Sequence, residues 1–307
     1  MTAGHHFHPY ADNSQSRTMT SFFQPGPAPD PAYVNTRDLQ RGQTHREYVE
    51  RLWAWFEPLS DRHFLSDAKA HFLERFWEMY LAKALDSAGL SPKKSGNSGP
   101  DFYIHTPERR IFFEATAPGP GEGLDTVPEL IPLNLQSVPE IDPVPEEKIL
   151  LRLRSAIRDK LKKWGEWRAR GRIGDQDGFV IAINGRQTRP APYDSEPPFI
   201  LRAVLPIGPL MVGWDTSSHE VVDTHYKYRD MVTKMSGEEI RTDIFLSPDF
   251  ADVSAVISSF LDTANYPKIE GEDFRLVHNP KAKCPFPRHL FARGREYWVE
   301  GDQLVLK

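Results

Sequence analysis

The stretch that decides the fold of this chain spans residues 99–118 and has the sequence GPDFYIHTPERRIFFEATAP. At both of its ends polar and apolar residues alternate with a period of two, which is typical of β-strands with two different faces. The residues 106–109, TPER, separate the two runs and place Pro107 where a type I turn prefers it. The stretch therefore predicts a β-hairpin with strands at 101–105 and 109–117.

The turn also predicts the register of this hairpin, because its position pairs residues whose numbers sum to 215. In this register Asp101 lies directly opposite Glu114. Two facing carboxylates repel each other unless a cation lies between them. Because carboxylate oxygens are ligands that Mg²⁺ and Mn²⁺ prefer, the pair predicts half of a divalent-metal site.

Structural roles for the two carboxylates remain open as alternatives. Asp101 follows a Gly-Pro pair, and it could cap a turn there without binding any ligand. Glu114 could pair with an arginine of the same hairpin, Arg109 or Arg110, on a solvated face of the sheet.

Size and composition exclude several classes of protein. The chain has 307 residues, of which 39% are hydrophobic, so it can form one large domain or a core with an appendage. The net charge of −5 argues against a surface coated in basic residues, but not against a local basic patch. With Cys284 as its only cysteine the chain forms no internal disulfide, which fits a reducing compartment.

No apolar run approaches the roughly 20 residues that a membrane span needs. The first 20 residues lack the basic start and apolar centre of a signal peptide. We therefore expect a cytoplasmic protein that has no membrane as a partner.

The residues before the hairpin predict an irregular segment followed by two helices. Residues 1–40 are polar and rich in proline, which favours irregular or disordered structure. Apolar residues at helical spacing predict helices at 46–56 and 66–88, the second with Ser66 as its N-cap. Glu78 flanks the apolar stripe of the second helix, where most glutamates simply reach solvent.

After the hairpin, an acidic, proline-rich loop at 119–145 precedes a basic helix predicted at 146–170. The loop is either a flap beside the carboxylates or a passive surface excursion. On the helix, Lys160 falls on the apolar stripe. Either its side chain snorkels past the edge of the core, or its ammonium group points at Asp101 and Glu114.

The run 178–184, GFVIAIN, predicts a strand buried on both faces, and the helix before it predicts a crossover to the same sheet. Further along, 248–261 predicts a helix capped by Ser247. The runs 274–277 and 297–306 predict a strand and a closing hairpin.

The fold class that these elements predict is α/β, with a mixed central sheet flanked by helices. We expect three parts in the chain. An irregular segment occupies 1–40, the core with its N-terminal helices occupies 41–189, and a C-terminal α+β extension packed on the core occupies 190–307.

The order of helix, hairpin, basic helix and buried strand resembles the PD-(D/E)XK nuclease superfamily, whose fold is the restriction-endonuclease-like fold. Pro100 and Asp101 match the "PD" of that family, and the run 114–116, Glu-Ala-Thr, occupies its "(D/E)XK". The resemblance covers residues 66–185. Thr116 stands where the family has its lysine, and some members take this lysine from a neighbouring element; Lys160 is our candidate for such a migrated lysine.

The resemblance implies a Mg²⁺-dependent or Mn²⁺-dependent nuclease that hydrolyses the phosphodiester bonds of nucleic acid, with DNA as the expected partner. Asp101, Glu114 and the carbonyl oxygen of Ala115 would hold the ion. Glu78 would orient a water on that ion or bind a second one. Lys160 would position the attacking water.

The basic helix also has a role under this resemblance. Arg154, Arg158 and Lys162 would hold the phosphate backbone of the substrate, although a solvated face is the simpler interpretation for most basic residues there. Because Thr116 replaces the lysine, an alternative remains open. In it the chain is a catalytically degenerate member that serves as a scaffold for nucleic acid or protein, including a further copy of itself.

Overall fold

The computed structural model describes residues 20–96, 99–128, 144–188 and 194–307. The predictions for 1–19 and for most of the acidic loop, residues 129–143, lie outside the described residues. Within the described part no helix is long and apolar enough to span a membrane. The described residues contain six α-helices: α1 (Pro31–Asp38), α2 (Gln43–Phe56), α3 (Phe64–Ala68), α4 (Phe72–Ser87), α5 (Glu146–Ala169) and α6 (Phe199–Val204).

Strands are distributed from the middle of the chain to its end. In chain order they are β1 (Lys93–Lys94), β2 (Phe102–His105), β3 (Arg110–Thr116), β4 (Gly178–Asn184), β5 (Ile207–Asp215), β6 (Glu220–Tyr228), β7 (Met231–Thr233), β8 (Glu239–Arg241), β9 (Ala255–Ser259), β10 (Arg275–His278), β11 (Arg295–Glu300) and β12 (Gln303–Leu306).

Eight of these strands form one mixed sheet in the order β1-β2-β3-β4-β9-β10-β11-β12. Strands β3, β4 and β9 run parallel in its centre, and antiparallel pairs lie toward both edges. The large mixed sheet flanked by helices confirms the predicted α/β class. Two small hairpins, β5–β6 and β7–β8, lie outside this sheet.

The predicted hairpin and its register are confirmed. Strands β2 and β3 are antiparallel, and their partners run from Phe102 opposite Phe113 to His105 opposite Arg110. Every one of these pairs has numbers that sum to 215. The strand at 178–184 is confirmed as β4, which lies parallel to β3 and pairs Glu114 with Ile181.

The two faces of the sheet are covered by different helices because alternate residues of each strand point in opposite directions. Phe113 and Ala115 belong to the apolar cluster that contains α4. Phe112 and Phe179 belong to the cluster that contains α5. The indole of Trp77 in α4 also donates a hydrogen bond of 3.0 Å to the carbonyl oxygen of Ala182, which ties this helix to β4.

The predicted helix 66–88 is wrong at its start. The chain forms α3, turns at Lys69, and begins α4 only at Phe72. The amide of Phe72 donates to Oδ2 of Asp30 at 2.9 Å, and Oδ1 of the same aspartate caps α1. Ser66 does not cap the helix, because its hydroxyl donates to the carbonyl oxygen of His63 at 2.7 Å.

The irregular structure predicted for 1–40 holds for 20–30 and is wrong for 31–38, which form a helix. Helix α1 lies within it, and Phe22 and Tyr33 are fully buried. The carboxylate of Glu50 in α2 accepts the amide of Phe22 at 2.8 Å, so a polar anchor holds this apolar segment. The proline-rich composition concealed these contacts because it suppresses regular periodicity.

The helix predicted at 248–261 is also wrong. A single 3-10 turn, Pro248–Phe250, begins with the predicted cap at Ser247, and the chain then forms β9. Every residue of β9 is buried, since it lies between β4 and β10 in the sheet. A strand covered on both faces has no alternating pattern, and the apolar residues of 248–261 fall at helical spacing, so the sequence imitated a helix.

Residues after 190 complete the sheet itself, since β9 to β12 are half of its strands. The predicted strand at 274–277 is confirmed as β10, one residue further along. The closing hairpin is confirmed as β11–β12, with Tyr297 opposite Leu306 and Glu300 opposite Gln303.

Candidate active site

The candidate site lies where β3 passes beneath α5. Strand β3 is held on one side by β2 and on the other by β4, so the direction of its side chains is fixed. Helix α5 is anchored by Trp164, whose ring stacks on Phe179 of β4 with 4.3 Å between centroids. Lys160 precedes Trp164 by one helical turn and therefore points toward the same face of the sheet.

Lys160 and Glu114 form a buried ion pair in this site. The ammonium nitrogen of Lys160 lies 2.7 Å from Oε1 of Glu114 and 3.3 Å from the carbonyl oxygen of Ala115. The two residues are only 8% and 5% exposed. Of the two interpretations of Lys160, the structure therefore contradicts the snorkelling one and places the ammonium group against a predicted carboxylate.

The electrostatics of Lys160 follow from this pairing. Burial lowers the pKa of the lysine, but the charges of Glu114 and Asp101 outweigh burial and leave the pKa raised. The ammonium group therefore stays charged at neutral pH. A buried charge of this kind is stable only while its partners are present.

Asp101 approaches the same point from the other strand of the hairpin. Its Oδ2 accepts a hydrogen bond of 2.7 Å from the amide of Ala115, which joins the two strands beyond the last ladder pair. Burial, followed by the charges of Glu114 and Glu78, raises the pKa of Asp101 well above its ordinary value. The alternative in which Asp101 only caps a turn of its own is contradicted by this bond to β3.

Glu78 lies on α4 and is 8% exposed, so it does not simply reach solvent. Its Oε2 accepts a hydrogen bond of 2.8 Å from Nη1 of Arg75, one turn earlier. Burial raises the pKa of Glu78 to about 7, although Arg75 acts in the opposite direction. The charges of Asp61 and Glu114 raise this pKa further, which links Glu78 electrostatically to the site.

Several oxygen donors of this site are suited to a hard divalent cation. Oε2 of Glu114 is buried and has no hydrogen-bond partner among the described residues. Burial and the neighbouring carboxylates disfavour the ionised form of Asp101, so a bound cation would stabilise it. The described residues contain no group of three or more His, Cys, Asp or Glu side chains arranged around one metal position. Two carboxylates and the carbonyl oxygen of Ala115 are therefore the donors that the site offers.

The alternative in which Glu114 pairs with an arginine of its own hairpin is not what the structure contains. Arg110 instead makes an ion pair with Asp177, with 2.6 Å between Nη2 and Oδ2. Glu114 lies on the buried face of β3 and has lysines as its ion-pair partners in the described residues.

The outward position expected for one of the three basic residues, Arg154, is wrong. Arg154 is 8% exposed, and its Nε donates to the carbonyl oxygen of Arg241 at 2.6 Å. The sequence predicted an outward position because α5 was expected to have only one covered face, whereas β7 and β8 cover part of the other. Arg158 and Lys162 are exposed, as predicted.

Two residues of the site were missed from the sequence. Nζ of Lys163 lies 4.0 Å from Oε1 of Glu114. The side chain of Lys163 is 54% exposed, so it lies between the buried ion pair and the solvent. Arg75 holds Glu78 in place. The signal for both was helical spacing, because each lies three residues from a residue already singled out, Lys160 or Glu78.

Comparison of the chain with models of protein families, with curated proteins and with solved structures finds no match. The chemistry of the site therefore has to be argued from its own residues.

Proposed function

We propose that this chain is a Mg²⁺-dependent or Mn²⁺-dependent nuclease with a restriction-endonuclease-like fold, and that Lys160 takes the place of the lysine missing at Thr116. The observation that carries the proposal is the ion pair between Lys160 on α5 and Glu114 on β3. It brings a lysine from a separate element to the carboxylate of the motif. The carboxylate of Asp101 lies next to them through its bond to Ala115.

The donors of the site support the choice of metal. Asp101, Glu114 and the carbonyl oxygen of Ala115 offer only oxygen atoms, which suits Mg²⁺ and Mn²⁺ and not the softer transition metals. The unpartnered Oε2 of Glu114 is a free acceptor for such an ion. When bound, the ion would stabilise negative charge on the phosphate and lower the pKa of a nucleophilic water.

The protein's own groups divide the remaining work. Lys160 supplies a buried positive charge and three N–H donors, which suit it to hold the attacking water and to stabilise the charge that develops on the phosphate. Glu78 has a pKa of about 7, so it can accept or donate a proton near neutral pH. Lys163 lies at the exposed edge, where it can meet an incoming phosphate group.

The experiment that tests this function is a cleavage assay on single-stranded and double-stranded DNA and RNA with Mg²⁺, Mn²⁺ or a chelator. Cleavage is expected only with a divalent ion. Lys160→Gln, whose amide can still donate to Glu114, is expected to reduce cleavage by about a hundredfold or more. The matched control is Arg170→Gln, which removes an exposed positive charge at the C-terminal end of the same helix.

A parent protein that cleaves none of the four substrates under any divalent ion would overturn the proposed activity. Equal cleavage by the parent and by Lys160→Gln would keep the nuclease but remove Lys160 from its mechanism. Thermal unfolding of each variant shows whether a loss of cleavage is a loss of fold.

A second candidate function, a non-cleaving scaffold for nucleic acid or protein, is favoured by one contact. The ammonium group of Lys160 lies against both Oε1 of Glu114 and the carbonyl oxygen of Ala115. These are two of the oxygen atoms assigned to the metal, so a lysine could replace the ion permanently. The two functions differ in one measurable property, the binding of Mg²⁺ or Mn²⁺ at this site, which only the nuclease requires.

A further inference from the structure

A separate cavity of about 290 Å³ lies on the other side of α5, away from the sheet. Its walls are the loop at 121–125, the outward face of α5, and residues 234 and 240 next to and within the hairpin β7–β8. On a helical wheel at 100° per residue, Ser155 and Arg158 of this wall lie roughly 140–160° from Lys160. The cavity is therefore distinct from the candidate active site.

The decisive feature of this cavity is Arg154. Its Nε is used by the carbonyl oxygen of Arg241, and its guanidinium lies over the ring of Phe250 at 5.0 Å. Its Nη1, however, is buried and has no hydrogen-bond partner in the described part of the chain. A guanidinium that is 8% exposed and still has a free donor is costly unless a ligand accepts from it.

The other charges of the cavity favour an anion. Four basic residues line it, against two acidic ones: Arg152, Arg154, Arg158 and Lys234, with Glu122 and Asp125. Of the four, Lys234 already pairs with Glu238, with 2.6 Å between Nζ and Oε2. Asp125 is already engaged, because its Oδ1 accepts the amide of Met235 at 2.9 Å. Burial, and then the charge of Arg158, lowers the pKa of Arg154 to about 10, although the charge of Asp243 acts in the opposite direction.

The loop at 121–125 packs closely against Arg152 of α5. Gly121 has a φ of 93°, and a Cβ at that position would lie 3.0 Å from Cδ of Arg152. The Nε of Arg152 donates to the carbonyl oxygen of Gly119 at 2.9 Å, which fixes this arginine against the loop. The basic wall is therefore held in position by hydrogen bonds of the fold.

We propose that this cavity binds a terminal phosphate group of a small phosphorylated molecule, with Arg154 and Arg158 as its main donors. A phosphate monoester carries two negative charges and protruding oxygens, so it can enter the cavity and accept hydrogen bonds from the arginines that line it. A phosphodiester in a duplex is attached on both sides and cannot project into a cavity in this way. The inference does not depend on the nuclease activity proposed for the opposite face of α5.

The test is isothermal titration calorimetry at constant ionic strength with inorganic phosphate, with a nucleoside 5′-monophosphate and with the same nucleoside without phosphate. Saturable binding of the two phosphates, and none of the nucleoside, is expected. Arg158→Gln is the primary variant because Arg158 is exposed and can be replaced without loss of the fold. It is expected to weaken phosphate binding about tenfold or more.

The control variant is Lys162→Gln, which removes the same charge from the same helix but does not line the cavity. It is expected to leave the phosphate affinity within about twofold of the parent. Asp101→Asn is also expected to bind phosphate like the parent, so failure of the nuclease proposal would not affect this result.

Three outcomes would overturn the proposal: no saturable binding of either phosphate, equal weakening by Arg158→Gln and Lys162→Gln, or loss of duplex binding alone in Arg158→Gln. The second outcome would indicate that phosphate is attracted by the overall positive charge of the helix and not by the cavity. The third would assign the cavity to the nucleic-acid interface.

Discussion

Nζ of Lys160 lies 2.7 Å from Oε1 of Glu114, although 46 residues separate the two along the chain. The contact depends on the crossover from β3 through α5 to β4, which lays the helix over the strand that carries the glutamate. An interior ion pair of this kind contributes little net stability, because desolvation of both charges offsets their attraction. The ion pair is therefore better explained by a functional role of Lys160 and Glu114 than by a contribution to stability.

The first prediction concerns the coupling of this pair. Lys160→Met leaves the carboxylate of Glu114 buried, with the half-exposed Lys163 as its remaining ion-pair partner in the described part of the chain. It should destabilise the protein by about 3–5 kcal/mol. Glu114→Gln in addition should recover much of this loss, since the carboxylate that Lys160 compensates most directly is then replaced by a neutral amide. Urea unfolding of the parent, both single variants and the double variant gives the coupling energy. Additive effects of the two substitutions would contradict the pairing.

The second prediction concerns the metal. Calorimetry of the parent should detect binding of Mg²⁺ or Mn²⁺, and Asp101→Asn should abolish it, because the amide offers a weaker ligand than the carboxylate. The control is Asp302→Asn in the exposed turn between β11 and β12, at the opposite edge of the sheet. A parent that binds neither ion would favour the scaffold, with Lys160 as a permanent internal cation.

The third prediction uses the raised pKa of Glu78, which is about 7 in the folded protein. The unfolded chain releases this proton near its ordinary pKa of roughly 4.3. Between these two pH values the folded state binds more protons than the unfolded state. The free energy of unfolding therefore falls as the pH rises toward about 7, and above that pH Glu78 causes no further change. Glu78→Gln cannot ionise and should therefore gain stability relative to the parent as the pH rises from about 5 to about 8.

The measurement is chemical unfolding of both proteins at a series of pH values. Glu166→Gln, at an exposed position of α5, serves as the control and should show a difference from the parent that does not change with pH in this range. If the difference between Glu78→Gln and the parent is also independent of pH, Glu78 titrates normally and the proton-transfer role proposed for it fails.

The hairpin and the position of Lys160 could be predicted because each depends on one local period. A period of two and a turn proline were sufficient to set the register of β2 and β3. Helical spacing was sufficient to turn Lys160 inward. The strand β9 could not be predicted in this way, because its residues are buried on both faces and show no alternation.

Contacts between distant elements were the other source of error. Asp30 caps α1 and also binds the amide of Phe72 at 2.9 Å, and no local pattern indicates that a helix starts because of a residue 42 positions earlier. Arg154 was placed on the outside because the hairpin β7–β8, which covers it, follows α5 by more than 60 residues. The sequence predicts the direction of a side chain, but what covers that side chain depends on the whole fold.

The last prediction follows from the different surroundings of two basic residues on α5. Arg154→Glu would remove the hydrogen bond to the carbonyl oxygen of Arg241 and place a buried carboxylate, which also only accepts, against that oxygen; it should lower the melting temperature sharply or prevent folding. Lys162→Glu, at an exposed position, should leave the melting temperature nearly unchanged. If the exposed side of α5 holds nucleic acid, this second variant should bind DNA more weakly, and the salt dependence of its binding should fall by about one released counterion. Fluorescence anisotropy at several salt concentrations measures this slope. DNA affinity that does not depend on salt, or that is equal in the parent and in Lys162→Glu, would exclude this side of the helix as the nucleic-acid interface.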